Sequence, residues 1–445
     1  MKSPWQKLSQ TPMKIWRYHI PIKNKYYLHM KQLVTLLIGL LTITSYSQVK
    51  TISYNSDKLQ EKRELYISLP ASYEKNPTKK YPLLFVLDAD YLLNPFLGTL
   101  KYGAYWDDLP EVIMVGIAQN DQRSVDCGLD IVTGMPDGKS VDFFDFISLE
   151  LIPYIQKEYR TTNFKIIAGH DLTAAFSNFF LYKDNSLFNA YISLSPELPV
   201  NMENELPNFL ASSKLPLFYY LSTADGDEKK MQERIKIMDT KIRAIQNPNL
   251  NYKFEDFTET SHFSIVLHSA PTALYQIFAA AQPISTNEYT TKIATLKEGY
   301  VDYLKTKYDI IENSFGIKST IRINDFKAIE AAVLENKDYN ELDGLAILAD
   351  KSYPKSMLGD YFLATMFEYK GDNPRAVRYY MSGFNKEEIA DLTKDMMFAK
   401  AEELKKTFAK KPKIKGKVGQ VEETKEVPAE ETPATETPVT EEKKQ

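Results

Sequence analysis

The chain has one cysteine, Cys127, among 445 residues. No disulfide can form within it, and a zinc site built on several thiolates is excluded. Histidine is almost as scarce: there are five, and two of them, His19 and His29, fall in the first 29 residues. A histidine-rich metal centre is therefore short of material. Positive charge is not in excess, with 55 Lys and Arg against 59 Asp and Glu, net −4. A nucleic-acid binder needs a concentrated basic face, and this balance argues against one. Long apolar runs are missing too. The run Leu33–Ile43 spans 11 residues, short of the ~20 that cross a bilayer as a helix. What remains is 43% hydrophobic and 26% charged. That composition excludes collagen-like, wholly disordered and coiled-coil chains, and the length suffices for two or three domains with cores of their own.

Residues 30–48 read MKQLVTLLIGLLTITSYSQ. A positive start at Lys31, a short apolar run and small residues at Ser45 and Ser47 make the build of a secretory signal peptide over 30–47. Residues 1–29 carry six Lys or Arg and no acid, and translation is expected to start at Met30. The seven bases of residues 1–47 leave 48 bases against 59 acids, net −11. An acidic exported protein with one cysteine fits the periplasm or the outside of a bacterial cell. No transmembrane helix is expected in the mature chain, and no nucleic-acid partner.

From 48 to 285 strand-like and helix-like stretches alternate. The strand candidates are 64–69, 81–88, 111–118, 164–169, 190–195, 215–222 and 251–257. Several are continuous apolar runs, as strands covered on both faces are. Helical patterns lie at 141–159, 172–182, 228–245 and 271–281. This alternation predicts an α/β fold with a mostly parallel sheet and helices on both faces. From 288 to 404 helix follows helix. In 356–384 Leu358, Tyr361, Ala364 and Phe367 recur at helical spacing. Gly371-Asp372-Asn373-Pro374 then breaks the pattern before Ala376, Tyr379 and Tyr380. Small and aromatic residues at these offsets resemble a tetratricopeptide-type hairpin, so a smaller TPR-like domain is expected, offering a surface for a protein partner. From 405 to 445 a Lys-rich stretch and then Pro, Thr and Glu predict a disordered tail.

The segment that carries chemistry is Lys165–Ala174, KIIAGHDLTA. A buried strand ends in Gly-His-X and a helix starts at once. This is the layout of the nucleophile elbow, where the central residue sits on a strained turn at the top of the sheet. The backbone turns so tightly there that small residues are needed two places to either side.

These residues resemble the bacterial esterase family that includes esterase D-like and ferric-siderophore esterases. The resemblance covers about 60–282 and shows in RELYISLPASY (63–73), VLDADYLL (86–93), VGIAQNDQR (115–123), LIPYIQKEYR (151–160) and AYISLSPEL (190–198). It implies an α/β-hydrolase fold and hydrolysis of carboxylic esters, of siderophores or acylated sugars, with no metal and no cofactor. The partner would be a small-molecule ester or acylated ligand. The family's elbow reads Gly-His-Ser-Leu-Gly-Gly. Here Gly169, His170 and Leu172 match, but the serine is Asp171, and Thr173 and Ala174 replace the glycines. The resemblance implies that His262 is the general base. It places the acid in the loop after 215–222, where Asp225 is favoured and Asp227 and Glu228 are alternatives. It assigns the oxyanion donors to the backbone N–H of Leu172 and one within Ala89–Tyr91, such as Ala89 or Asp90.

Asp171 can act in several ways. A carboxylate at a helix start needs no base to be nucleophilic. Gly169-His170-Asp171 also matches the first half of the Gly-His-Asp-Trp-Gly elbow of epoxide hydrolases and haloalkane dehalogenases, although Leu172-Thr173 departs from its second half. With an ester, attack by Asp gives a reactive anhydride. The first expectation is reduced or lost esterase activity, a pseudoenzyme. The second is hydrolysis by an Asp nucleophile or by Asp171 and His262 activating water. The third is a non-catalytic ligand-binding or scaffold protein acting through the helical domain. Arg123 and Asp126 are expected to make a salt bridge within their loop.

Overall fold

A computed structural model describes residues 49–183 and 186–409. The expected leader over 1–47, and all but the first five residues of the tail expected from 405, lie outside the described residues. Eight strands form one sheet: β1 (Val49–Ser56), β2 (Glu61–Ser68), β3 (Tyr81–Val86), β4 (Ile113–Ile117), β5 (Thr161–His170), β6 (Ala190–Leu194), β7 (Leu217–Gly226) and β8 (Leu250–Ser261). Their order is β1-β2-β4-β3-β5-β6-β7-β8. β1 and β2 run antiparallel, and β3 to β8 are parallel. The architecture is that of an α/β-hydrolase sheet with helices on both faces, followed by a helical C-terminal region.

The pleat sorts the apolar runs onto two faces. Leu83, Phe85 and Leu87 point into one core, where Phe143, Phe146, Phe176, Ile235 and Met238 cover the sheet. Leu84 and Val86 point into the other, against Leu92 and Phe96 of the Ala89–Tyr105 helix and Leu274 and Ile277 of the Ile265–Ile277 helix. Burial on both sides is why these strands are apolar without alternation. The chain steps from β3 outward to β4 and then back across to β5. Open α/β sheets have their crevice beyond the carboxyl ends of the strands at such a reversal.

The described residues divide into two compact units, one ending at Glu341 and the other starting at Leu342. The helical region expected over 288–404 is split by this boundary. Its first part belongs with the sheet: Phe315, at the end of the Tyr300–Phe315 helix, packs edge-on against Phe164 with ring centres 5.0 Å apart. In the second unit, helices Leu358–Tyr369 and Asn373–Ser382 are joined by a three-residue turn. Gly371 there takes φ +77°, a left-handed value that closes helices at little cost. Asp372 caps the next helix by accepting the N–H of Arg375. Phe367 and Tyr379 stack across the pair at 5.5 Å. The last helix, Lys394–Ala409, continues past 404, so Lys405 and Lys406 are helical.

Candidate active site

β5 ends at His170, and the short Leu172–Ser177 helix begins two residues later. Asp171 makes the turn with φ 57° and ψ −118°, a strained backbone for a residue with a Cβ. The turn is held on both sides. Asp171 N–H donates to Leu194 O at 2.9 Å, and Asp171 O accepts the N–H of Ala175 (3.1 Å) and of Glu197 (3.2 Å). A Cβ on Gly169 would lie 2.6 Å from the backbone carbon of Thr173, so the chain can pass here only as glycine. On the other side Thr173 is accommodated. Its buried hydroxyl accepts the N–H of His170 (3.0 Å) and donates to Asp88 Oδ2 (2.8 Å).

The Asp171 carboxylate is paired with Arg123, whose Nη2 lies 3.3 Å from Oδ2. The same Nη2 donates to the carbonyl of His170 at 3.0 Å. Arg123 Nε donates to both oxygens of Asp88, at 2.9 and 3.0 Å. Burial raises the Asp88 carboxyl above its ordinary range, although the guanidinium and Thr173 oppose that shift. Arg123 itself stays charged, because Asp88 outweighs the desolvation that would lower it. The expected salt bridge between Arg123 and Asp126 does not form. Asp126 instead pairs with Arg63 in the interior, and Arg123 reaches across to the β3 and β5 ends.

His262 follows directly after β8, and its Nδ1 lies 2.7 Å from Asp227 Oδ1. A carboxylate oxygen accepts, so Nδ1 carries the proton and Nε2 is the basic nitrogen of the neutral ring. Asp227 is the acid that the structure brings to His262. Oδ2 of Asp227 accepts from Ser195 Oγ and Thr223 Oγ1, each at 2.7 Å, and from the N–H of Ala224 at 2.9 Å. Burial alone would raise this carboxyl, but those bonds and the bond from His262 hold it below its ordinary range. The hydrogen bond to Asp227 in turn raises the pKa of His262. Asp225, the favoured acid in the sequence, is turned away. It is exposed, and its carboxylate accepts the N–H of Glu259 at 2.8 Å. Glu228 is exposed at the N-cap position of the Lys229–Arg243 helix and makes no side-chain capping bond.

His170 sits against His262, with ring centres 4.6 Å apart. Its Nε2 donates to the carbonyl of His262 at 2.9 Å, which fixes the tautomer and leaves Nδ1 unprotonated, 3.0 Å from the Tyr91 hydroxyl, whose single hydrogen also has Asp88 Oδ2 at 3.0 Å to donate to. Burial, then the neighbouring His262, lowers its pKa to about 4. Ala89, Asp90 and Leu172 occupy the first turns of their helices, so their N–H groups lack helical acceptors. The Asp90 carboxylate accepts the N–H of Gln119 (3.0 Å) and Asn120 (2.9 Å), tying the loop after β4 to this helix start. Among the described residues no group of three or more His, Cys, Asp or Glu is placed to hold a metal.

Sequence reasoning placed Arg123 in a loop salt bridge, gave Ser195 no more than a place in the pocket lining, and assigned no side-chain role to Tyr91 or Thr173. Their partners are distant in the chain, and only Thr173, sitting inside the elbow motif, carried a local signal.

The fold is that of the α/β-hydrolases. Residues 56–232 match the family model described as "Putative esterase". An uncharacterised protein from Capnocytophaga ochracea is 28% identical and superposes with a TM-score of 0.73, covering 81% of this chain and 100% of that one. An IroE-like serine hydrolase from Shewanella oneidensis, 19% identical, shares the fold with a TM-score of 0.53, covering 68% of this chain and 99% of that one. No curated protein matches the chain.

Proposed function

We propose that this is an exported protein of the carboxylic-ester hydrolase type in which Asp171 stands where the esterases have their serine. Its cleft takes a small ester or acylated ligand, and serine-type turnover is reduced by about four to six powers of ten, the scale on which loss of a nucleophile acts. The observation that carries this reading is Asp171 in the strained turn with its carboxylate on Arg123. A carboxylate held in an ion pair is a poorer nucleophile, and because Arg123 is shared between Asp88 and Asp171 the cluster keeps negative charge that opposes the oxyanion acyl transfer builds nearby. The base and acid, His262 and Asp227, and the helix-start N–H groups are the parts that an esterase would use.

A second reading is favoured by one feature: among the described residues nothing hydrogen-bonds Nε2 of His262. That nitrogen can take a proton from water, with Asp171 orienting the molecule. Turnover abolished by both Asp171→Ala and His262→Ala would support this alternative. The signal-peptide pattern of residues 30–47 supports export, and the pairing of the Leu358–Tyr369 and Asn373–Ser382 helices supports a partner surface in the C-terminal region.

A fluorophosphonate probe tests the main reading, because it phosphorylates activated serine hydroxyls. The natural chain should remain unlabelled and Asp171→Ser should be labelled at residue 171. Labelling of the natural chain at another serine would overturn the assignment.

A further inference from the structure

At the opposite end of the sheet from Asp171, a cavity of about 350 Å³ opens between the end of β2, the start of β4 and the second half of the Ala89–Tyr105 helix. Its volume lies near the small end of ordinary ligand cavities, ~300–1,000 Å³. Leu69, Leu97, Leu100, Val112 and Met114 make its walls. The helix presents Leu97, Leu100, Lys101 and Ala104 to it, the i, i+3, i+4, i+7 stripe of one face.

Two charged side chains line the cavity, and they differ in their commitments. Glu111 is already held by Lys79 Nζ at 2.7 Å and by the N–H of Ser72 at 3.0 Å. Lys101 has no acidic partner among the described residues. The wall thus carries one uncompensated positive charge beside an apolar interior. At the same helix end Tyr102, Tyr105 and Trp106 are 66%, 79% and 60% exposed, with the last two rings 5.0 Å apart. Exposed aromatics grouped at one place mark a surface that meets an apolar molecule.

We propose that this cavity binds a free, single-chain amphiphile with one anionic head: a medium-chain carboxylate whose tail lies along Leu97 and Leu100 and whose head meets Lys101. The site is separate from the elbow and does not depend on whether Asp171 supports turnover.

The chain has three tryptophans, Trp5, Trp16 and Trp106, so an emission change is assigned to the cavity mouth by its loss in Trp106→Phe. The whole 445-residue chain is titrated with hexanoate, octanoate and octan-1-ol, by calorimetry and by tryptophan emission. Saturable binding is expected, tightening roughly three- to fourfold per added methylene. Lys101→Glu should weaken octanoate at least tenfold and leave octan-1-ol unchanged. Ala104→Phe should abolish binding of both. Lys101 is exposed, so its variant tests the head-group contact without disturbing the core. Absence of saturable binding overturns the inference, whether water or the chain's own N-terminal segment then fills the space. Octanoate binding unaffected by both substitutions also overturns it. So does sedimentation with anionic vesicles in a chain that binds no octanoate.

Discussion

Nη2 of Arg123 lies 3.3 Å from Oδ2 of Asp171, and the same side chain holds Asp88 through Nε. One cation therefore serves two carboxylates on the ends of neighbouring strands. This arrangement predicts what happens when it is removed. The positive charge of Arg123 opposes protonation of His262, whereas Asp171 favours it. Arg123→Gln should raise the His262 pKa, read from its imidazole C–H signals in an NMR titration. Arg123→Lys should raise it less, and Asp171→Asn should lower it. A His262 titration unmoved by Arg123→Gln would show that the guanidinium does not govern the site. The variant should also lose about 3 kcal/mol or more of stability, because Asp88 stays buried without its cation.

Asp227 and Asp225 differ by two positions and should behave oppositely. Asp227→Asn removes the acceptor of His262 Nδ1 and leaves four donors facing an amide, so a loss of about 2–4 kcal/mol is expected. The raised His262 pKa should fall with it. The Asp227–His262 pair stabilises the fold fully below the ordinary histidine value near 6.5, and that contribution fades as pH rises through the raised one. Asp227→Asn should abolish this dependence. Asp225→Asn changes one exposed contact and should stay within about 0.5 kcal/mol of the natural chain. Urea unfolding of both variants at pH 6 and pH 8 separates them.

His170 gives a pH effect of the other sign. The unfolded chain takes up its proton below about 6.5, whereas the folded ring resists until about 4. Between those values the unfolded state binds more protons, so stability falls on acidification, by up to about 3 kcal/mol from this ring. His170→Gln should flatten the slope of unfolding free energy against pH over that window. An unchanged slope would mean that the ring is not held neutral by its burial.

Gly169→Ala should be strongly destabilising, by about 2–3 kcal/mol or more, because its new Cβ meets backbone atoms rather than a side chain that could turn aside. Thermal unfolding reads this directly. A variant as stable as the natural chain would show that the turn at Asp171 is looser than its dihedral angles indicate.

Seven of the eight strands were legible in the sequence, β3 to β7 as apolar runs covered on both faces and β2 and β8 by alternation, with Leu65 and Ile67, and Tyr252 and Phe254, turned to the core. β1 was not. It is an edge strand, VKTISYNS, paired only to β2 and largely exposed, so nothing demands apolar residues there. The Ala89–Tyr105 helix is missing from the helical patterns of the sequence, since Pro95, Gly98 and Gly103 dilute its propensity. Packing of Leu92, Phe96 and Leu100 on the sheet overrides that. In the site, the strand–turn–helix around Asp171 and the position of His262 carry local signals. The choice between Asp225 and Asp227 does not. The strand register slips between Ala224 and Gly226, and Asp227 N–H folds back to Ala224 O, so spacing along the strand cannot tell which carboxylate faces β8's end. The true partners of Arg123 were not legible because they lie 35 and 48 residues away, so Asp126 in the same loop stood in for them.

Hydrolysis of p-nitrophenyl butyrate by the natural chain and by Asp171→Ser compares the carboxylate with a hydroxyl at the same turn. Turnover near background is expected for the natural chain. Activity should appear in Asp171→Ser and be lost again when His262→Ala is added. Rapid hydrolysis by the natural chain, with no gain on introducing serine, would contradict that expectation.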